Sequence, residues 1–301
     1  MSKDAKKLAS RNANRSRTPH SKQFMKYIGS NWAESDNKLP KADAVAPFAA
    51  KRRAAVAKAF KGKVVVIAAG EMKTRSNDTE YRYRPHSAFA HLTGWGTHTV
   101  PSSILVIDAR KGSKSTLFFR ETAGHDTDEF FANSAIGEFW VGSRPGLKQV
   151  SALLALPTKS LKTYDEFIKS VAKKDVVTLD DAAVAEFVSE LRLVKDEYEI
   201  KEMRKAVAAS VEGFKSVVRN LDRAIKHPRG ERIVEGAFFA EARANGNDLG
   251  YETIAAAGEH ACTLHWIIND GKVNKGELLL LDAGVEVESL YTADVTRTLP
   301  I

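Results

Sequence analysis

The chain has 301 residues, 43% of them hydrophobic and 28% charged, which is the make-up of a folded globular protein with room for two domains. One cysteine, Cys262, excludes an internal disulfide, and no apolar run long enough to cross a membrane is present, so a reducing cytoplasm is the expected location and no membrane partner is expected. The formal charge of +8 is concentrated early: residues 1–60 hold 14 Lys and Arg against 4 Asp and Glu. That segment is the whole case for a nucleic-acid partner, and a solvated basic tail accounts for it more simply.

Residues 1–45 begin "MSKDAKKLASRNANRSRTPHSK", too polar to offset their ordering entropy, and read as a basic, mobile extension. From Pro40 to Phe60 an Ala-rich run with interspersed Lys and Arg predicts a helix. It leads into "KVVVIAAGE" from Lys63 to Glu71, then "SILVIDA" and "STLFFR", three apolar β-branched or aromatic strands separated by polar turns. Helical spacing returns over residues 162–174 and 179–193. Residues 46–188 therefore read as an α/β domain, a mixed sheet with helices, and no glycine-rich phosphate loop opens any of its helices.

A second unit is expected over residues 189–301. Ile200, Met203, Val207, Val211, Phe214, Val218 and Leu221 recur at steps of three and four, the stripe of a long amphipathic helix from Asp196 that packs one face and wets the other. A helix from Glu231 to Ala244 follows, closed by "NGNDLG", and then strand-like segments "YETIAAAG", "ACTLHWIIN" and "LLLLDAGVEVESLYTADVTRTLPI".

The closing run carries the chemistry. Folded as a hairpin with a connection over residues 287–289, it sets Asp282 opposite Asp294 and gathers Leu281, Ala283, Val285, Ala293 and Val295 on the other face as a core surface. Two carboxylates side by side on a sheet repel unless something neutralises them. A divalent metal, a structural ion pair with Arg297 or a lysine, and a shared proton all satisfy that requirement. His265, in "ACTLHW", reads either as a hydrogen-bonded core histidine or, beside a metal, as a donor to developing oxyanion charge. Cys262, taken as part of the same strand, reads as a buried filler. His86, His91 and His98 match no zinc spacing, and Arg75, Arg82 and Arg84 interleaved with Tyr81 and Tyr83 read as an oligomer contact or an entrance rim rather than an RNA patch.

"LRLVKDEYEIKEMRKA", "ACTLHW" and "LLLLDAGVEVESLYTADVTRT" resemble the first half of the catalytic domain of the pita-bread metallopeptidases, the group of aminopeptidase P, prolidase, methionine aminopeptidase and creatinase. "RSNDTEYRYRPHSAFAHLTGW" resembles the N-terminal domain of the aminopeptidase P branch. The resemblance implies an α/β N-terminal domain followed by an incomplete α+β pita-bread domain. It also implies a pair of divalent ions, usually Mn2+, held by two Asp, one His and two Glu, with release of the first residue from Xaa-Pro peptides and a homo-oligomer in the full-length form. By position, Asp282 and Asp294 are the implied metal aspartates, His265 the substrate-side histidine, and Tyr291, Thr296 and Arg297 supports of the site. His260 and Trp266 stand where the family often has Asn and Tyr. The remaining ligands lie beyond the TRT motif in the family, so this polypeptide alone is expected to be a weak or inactive peptidase with a marginally stable second unit; the other reading is a relic or interaction protein using its N-terminal domain for assembly.

Overall fold

The computed structural model describes residues 21–34, 36–77 and 79–301, and these described residues divide into two compact units, those up to 94 together with 99–191, and 95–98 together with 192–301. The mobility expected of the basic opening falls largely on residues 1–20, outside the described residues. From residue 21 the expectation of a mobile extension is corrected. Ser21 caps a helix Lys22–Ile28 through its Oγ, the Phe24 ring lies edge-on to Phe131, and Trp32 lies edge-on to Phe130. Edge-on aromatic contacts hold a stretch whose net composition looks unfoldable.

The first unit is built on a mixed five-stranded sheet: β1 (Val64–Ala68), β4 (Ile104–Asp108), β5 (Lys114–Phe119), β6 (Thr158–Ser160) and β7 (Val176–Thr178), in the order β6-β5-β4-β1-β7. β1 pairs antiparallel with β4 and parallel with β7, and β5 pairs parallel with β6. β1 and β4 read as near-continuous apolar runs because both faces are covered, and Val64, Val65, Ile67, Leu105 and Ile107 are fully buried. The helix Ala46–Ala59 buries Arg52 and Arg53, whose guanidinium groups donate to the carbonyls of His91 and Leu92 at the end of the helix Ser87–Thr93. A hairpin of β2 (Thr74–Ser76) and β3 (Thr79–Glu80) carries the exposed Arg75 and precedes Tyr81.

The second unit has a three-stranded antiparallel sheet, β12-β10-β9, from β9 (Ile254–Ala257), β10 (Leu278–Ala283) and β12 (Val295–Pro300), and a small pair of β8 (Asp248–Leu249) with β11 (Val285–Glu286). Two helices cover it, Glu197–Lys226 and Gly230–Asn245. The first opens with a capping box in which Asp196 accepts from the Glu199 amide and Glu199 accepts from the Asp196 amide. Val217, Ala224, Val234, Phe238 and Ala242 meet Leu279, Leu281, Ala283 and Val285 in the core.

The apolar stripe expected to pack the long helix is largely reversed. Ile200, Val207, Val211 and Val218 are 41%, 47%, 45% and 54% exposed, while the buried face carries Ala206, Ala209, Ser210, Gly213, Ser216 and Val217. Small residues win that face because they let the second helix approach closely: a β-carbon on Gly213 would stand 2.5 Å from the Phe238 ring. Val207, Val211, Phe214 and Val218, with Val295 and Leu299 of β12, instead line an open groove of about 560 Å³.

Candidate metal-binding site

The register of the closing hairpin decides which side chains meet. Leu278 pairs with Pro300, Asp282 with Thr296 and Ala283 with Val295, so the expected pairing of Asp282 with Asp294 is displaced by two positions. The turn is longer than residues 287–289. Glu286 bridges Thr292, the Leu290 amide donates to the Val287 carbonyl at 2.8 Å, and Leu290 takes the left-handed φ of 67°. A displacement by two leaves every side chain on its original face. Leu281, Ala283, Val285 and Ala293 are buried as the pattern required, with Val295 partly buried, and both aspartates remain on the other face, Asp282 half-buried and Asp294 exposed.

The two carboxylates converge on one oxygen. The Tyr251 hydroxyl lies 2.5 Å from Asp282 Oδ1 and 3.0 Å from Asp294 Oδ1, and Thr296 Oγ1 donates to Asp282 Oδ2 at 2.7 Å. A phenol has one proton to give, so it serves one carboxylate fully and leaves the other pressed against its lone pairs. Burial first, then the hydrogen bonds and charges of Asp282 and Asp294, drive the Tyr251 pKa far above its ordinary value. The hydroxyl is therefore a neutral donor at any physiological pH and brings no positive charge to the pair.

That donor set suits a hard divalent cation, because carboxylate oxygens with open lone pairs are its preferred ligands. Among the described residues no group of three or more His, Cys, Asp and Glu is gathered for a metal, and two carboxylates are what meet at Tyr251. Of the residues singled out in the sequence, Asp282, Asp294 and Thr296 come together. Tyr291 does not join them: its hydroxyl donates to Glu199 at the start of the long helix, tying the turn to that helix, as Ser289 does to Glu202. Arg297 turns back on the Thr296 carbonyl and lines the open groove.

The segment "ACTLHWIIN" is not a strand. A 3-10 turn over Gly258–Cys262 is followed by hydrogen-bonded turns that leave Cys262 and His265 exposed, so the buried-filler reading of Cys262 is corrected. The loop curls because its polar groups bond inward to Glu231 rather than to a neighbouring strand. Tyr251 and Glu231 escape pattern reading, since neither has a motif partner nearby in sequence. The one available signal for Tyr251 is a hydroxyl-bearing ring at the entrance to the buried strand β9. In the N-terminal unit His86 Nδ1 accepts the Ala88 amide as a helix cap, which is a structural use of that histidine.

Residues 49–178 match the family model "Aminopeptidase P, N-terminal domain", and residues 201–301 match "Metallopeptidase family M24". The chain thus carries an aminopeptidase P N-terminal domain followed by an M24 metallopeptidase segment. It is 42% identical to Xaa-Pro aminopeptidase 1 of Streptomyces coelicolor over 299 residues, covering 93% of this chain and 60% of that protein. It is 41% identical to Xaa-Pro aminopeptidase 2 of the same organism, covering 90% of this chain and 60% of the relative. The chain thus spans about three fifths of the length of these curated relatives. Among solved structures, E. coli aminopeptidase P with the inhibitor Pro-Leu has a TM-score of 0.69 at 23% identity, over 87% of this chain and 63% of that one, a likeness of fold. Both the α/β N-terminal domain and a partial pita-bread domain of aminopeptidase P type are therefore present, and divalent metal is the cofactor class of this metallopeptidase family.

Proposed function

We propose that this chain provides the N-terminal domain and the two-aspartate half of an Xaa-Pro aminopeptidase, an enzyme releasing the first residue of peptides with proline second. The observation that carries it is the convergence of Asp282 and Asp294 on the Tyr251 hydroxyl, on the strand pair whose sequence resembles the metal-bearing hairpin of the family. Asp282 and Asp294 would hold divalent metal, with Mn2+ the ion the resemblance favours. A divalent ion held there would supply an acidified water and polarise the substrate carbonyl. Tyr251 and Thr296 orient Asp282 by occupying one lone pair on each of its oxygens, which leaves the others directed outward. His265, exposed on its turn, would donate a hydrogen bond to substrate oxygen, the role the resemblance implies, and the likeness to named Xaa-Pro aminopeptidases supports the peptide class. Among the described residues no helix is long and apolar enough to cross a membrane. The single cysteine and the absence of any disulfide support a cytoplasmic location, and the resemblance supports a homo-oligomer.

The test is Mn2+-dependent release of the first residue from an Xaa-Pro peptide against an Xaa-Ala control. It is run on the chain alone and on the chain mixed with a polypeptide matching the remaining two fifths of the Streptomyces relatives. Xaa-Pro-selective hydrolysis in either sample, abolished by Asp282→Asn with Asp294→Asn, supports the reading. No hydrolysis in both sinks it.

A further inference from the structure

The segment Gly258–Gly271 of the loop between β9 and β10 has little apolar burial to hold it. Leu264, Ile267 and Ile268 are 84%, 49% and 53% exposed, and Cys262, Thr263 and His265 are exposed as well. A segment with so few buried contacts opens easily unless polar bonds restrain it. Glu231, the second residue of the helix Gly230–Asn245, is completely buried directly beneath this loop.

Four groups from one short stretch of chain meet its carboxylate. Oε1 accepts the Ala257 amide and His260 Nδ1, each at 2.8 Å; Oε2 accepts the Trp266 indole at 2.9 Å and the Gly271 amide at 2.7 Å. The Glu231 amide returns a bond to the Gly271 carbonyl, and Asn269, also buried, bonds back along β9 to the Ala255 amide and the Thr253 carbonyl. Both ends of the loop and both flanks of the turn Thr263–His265 are therefore held by one anion. His260 and Trp266 stack at 3.9 Å, and a β-carbon on Gly271 would strike the His260 ring at 2.6 Å, so the clamp has no slack.

The carboxylate suits this position because it only accepts. Three of the four neighbours can only donate, and the fourth, His260, must carry its proton on Nδ1 to do so. An amide in place of the carboxylate would turn an N–H toward at least one obligate donor, whichever way it is rotated.

We propose that Glu231 is a positioning residue: its buried carboxylate clamps the loop Gly258–Gly271 and so presents His265 in one orientation to the substrate. The substrate part rests on the proposed peptidase function, whereas the clamp does not. Glu231→Gln is compared with the native chain and with Glu241→Gln, which lies near the far end of the same helix, by amide exchange and by histidine-ring NMR. Expected for Glu231→Gln is exchange at Ala257 and Gly271 faster by about tenfold or more, with broadened or doubled His265 ring signals and unchanged exchange at Val285. Should Glu231→Gln fail to fold, Trp266→Phe removes one donor and keeps the stacked ring, and the same local changes are expected at smaller size.

In the peptidase assay, Glu231→Gln and His265→Ala are expected to lower kcat/KM together, and the double variant to be no worse than the weaker single, since groups acting through one another are not additive. Native exchange at both amides with an unmoved His265 ring overturns the clamp. Additive losses overturn its action through His265. Absence of hydrolysis from the native chain both alone and in the mixture defeats the peptidase reading only, and the exchange and ring signals still decide the clamp.

Discussion

Asp282 stands directly opposite Thr296 across the β10–β12 ladder, and the threonine hydroxyl donates to Asp282 Oδ2 at 2.7 Å. This bond holds one carboxylate oxygen while Tyr251 holds the other, so the carboxylate cannot rotate freely toward solvent. Thr296→Val keeps the strand-forming shape and removes the donor. Mn2+ binding followed by titration calorimetry is expected to weaken by roughly 10- to 100-fold, and Thr296→Ser to retain most of it.

Tyr251 gives a prediction about pH. Its folded pKa is raised above the ordinary value of 10.0, by burial first and by the two aspartates second. The folded state then keeps a proton that the unfolded chain releases, so this contribution to stability is complete below pH 10 and declines as pH rises beyond it. Denaturant midpoints of the native chain should fall between neutral pH and pH 11, and Tyr251→Phe should fall less steeply. The phenolate absorbance of Tyr251, read as native minus Tyr251→Phe, should stay absent at pH 11 in the folded protein. Tyr83, pushed up to about 12 by burial in the other unit, is silent in that difference.

The two faces of the long helix separate a core effect from a surface one. Phe238 is fully buried against Gly213, whereas Val218 is 54% exposed on the groove. Phe238→Ala is expected to cost about 3–5 kcal/mol, Gly213→Ala about 1–3 kcal/mol through overpacking, and Val218→Ala within about 0.5 kcal/mol. Urea denaturation of the second unit checks all three, and a large loss for Val218→Ala would show that the groove is covered in solution.

Ser210 faces the core from the same helix, with its hydroxyl accepting the buried Val285 amide at 2.9 Å and donating to the Ala206 carbonyl. Ser210→Ala leaves that amide without its acceptor. A loss of about 1–3 kcal/mol is expected, together with faster exchange at Val285 just after β10.

Much of this architecture was legible in local patterns. β1, β4 and β5 were visible as apolar runs, the long helix as a period of three and four, and the aspartates as polar intrusions in a strand pair. The stripe on the long helix was visible too, but its partner was not. Periodicity reports that a face is apolar, and small residues such as Ala209 and Gly213, which carry little hydropathy signal, took the packed face because backbone proximity was worth more there.

The sequence by itself determined which residue types lie on one face of the closing hairpin, because alternation survives a displacement of two positions. Only the tertiary structure decided the register, since that depends on Leu290 accepting a left-handed backbone within a turn closed by the Val287 carbonyl. It also brought Tyr251 to both aspartates and Glu231 beneath the loop of His265. Those meetings join residues more than twenty positions apart, where no spacing rule operates and only the packing of helix on sheet determines what touches.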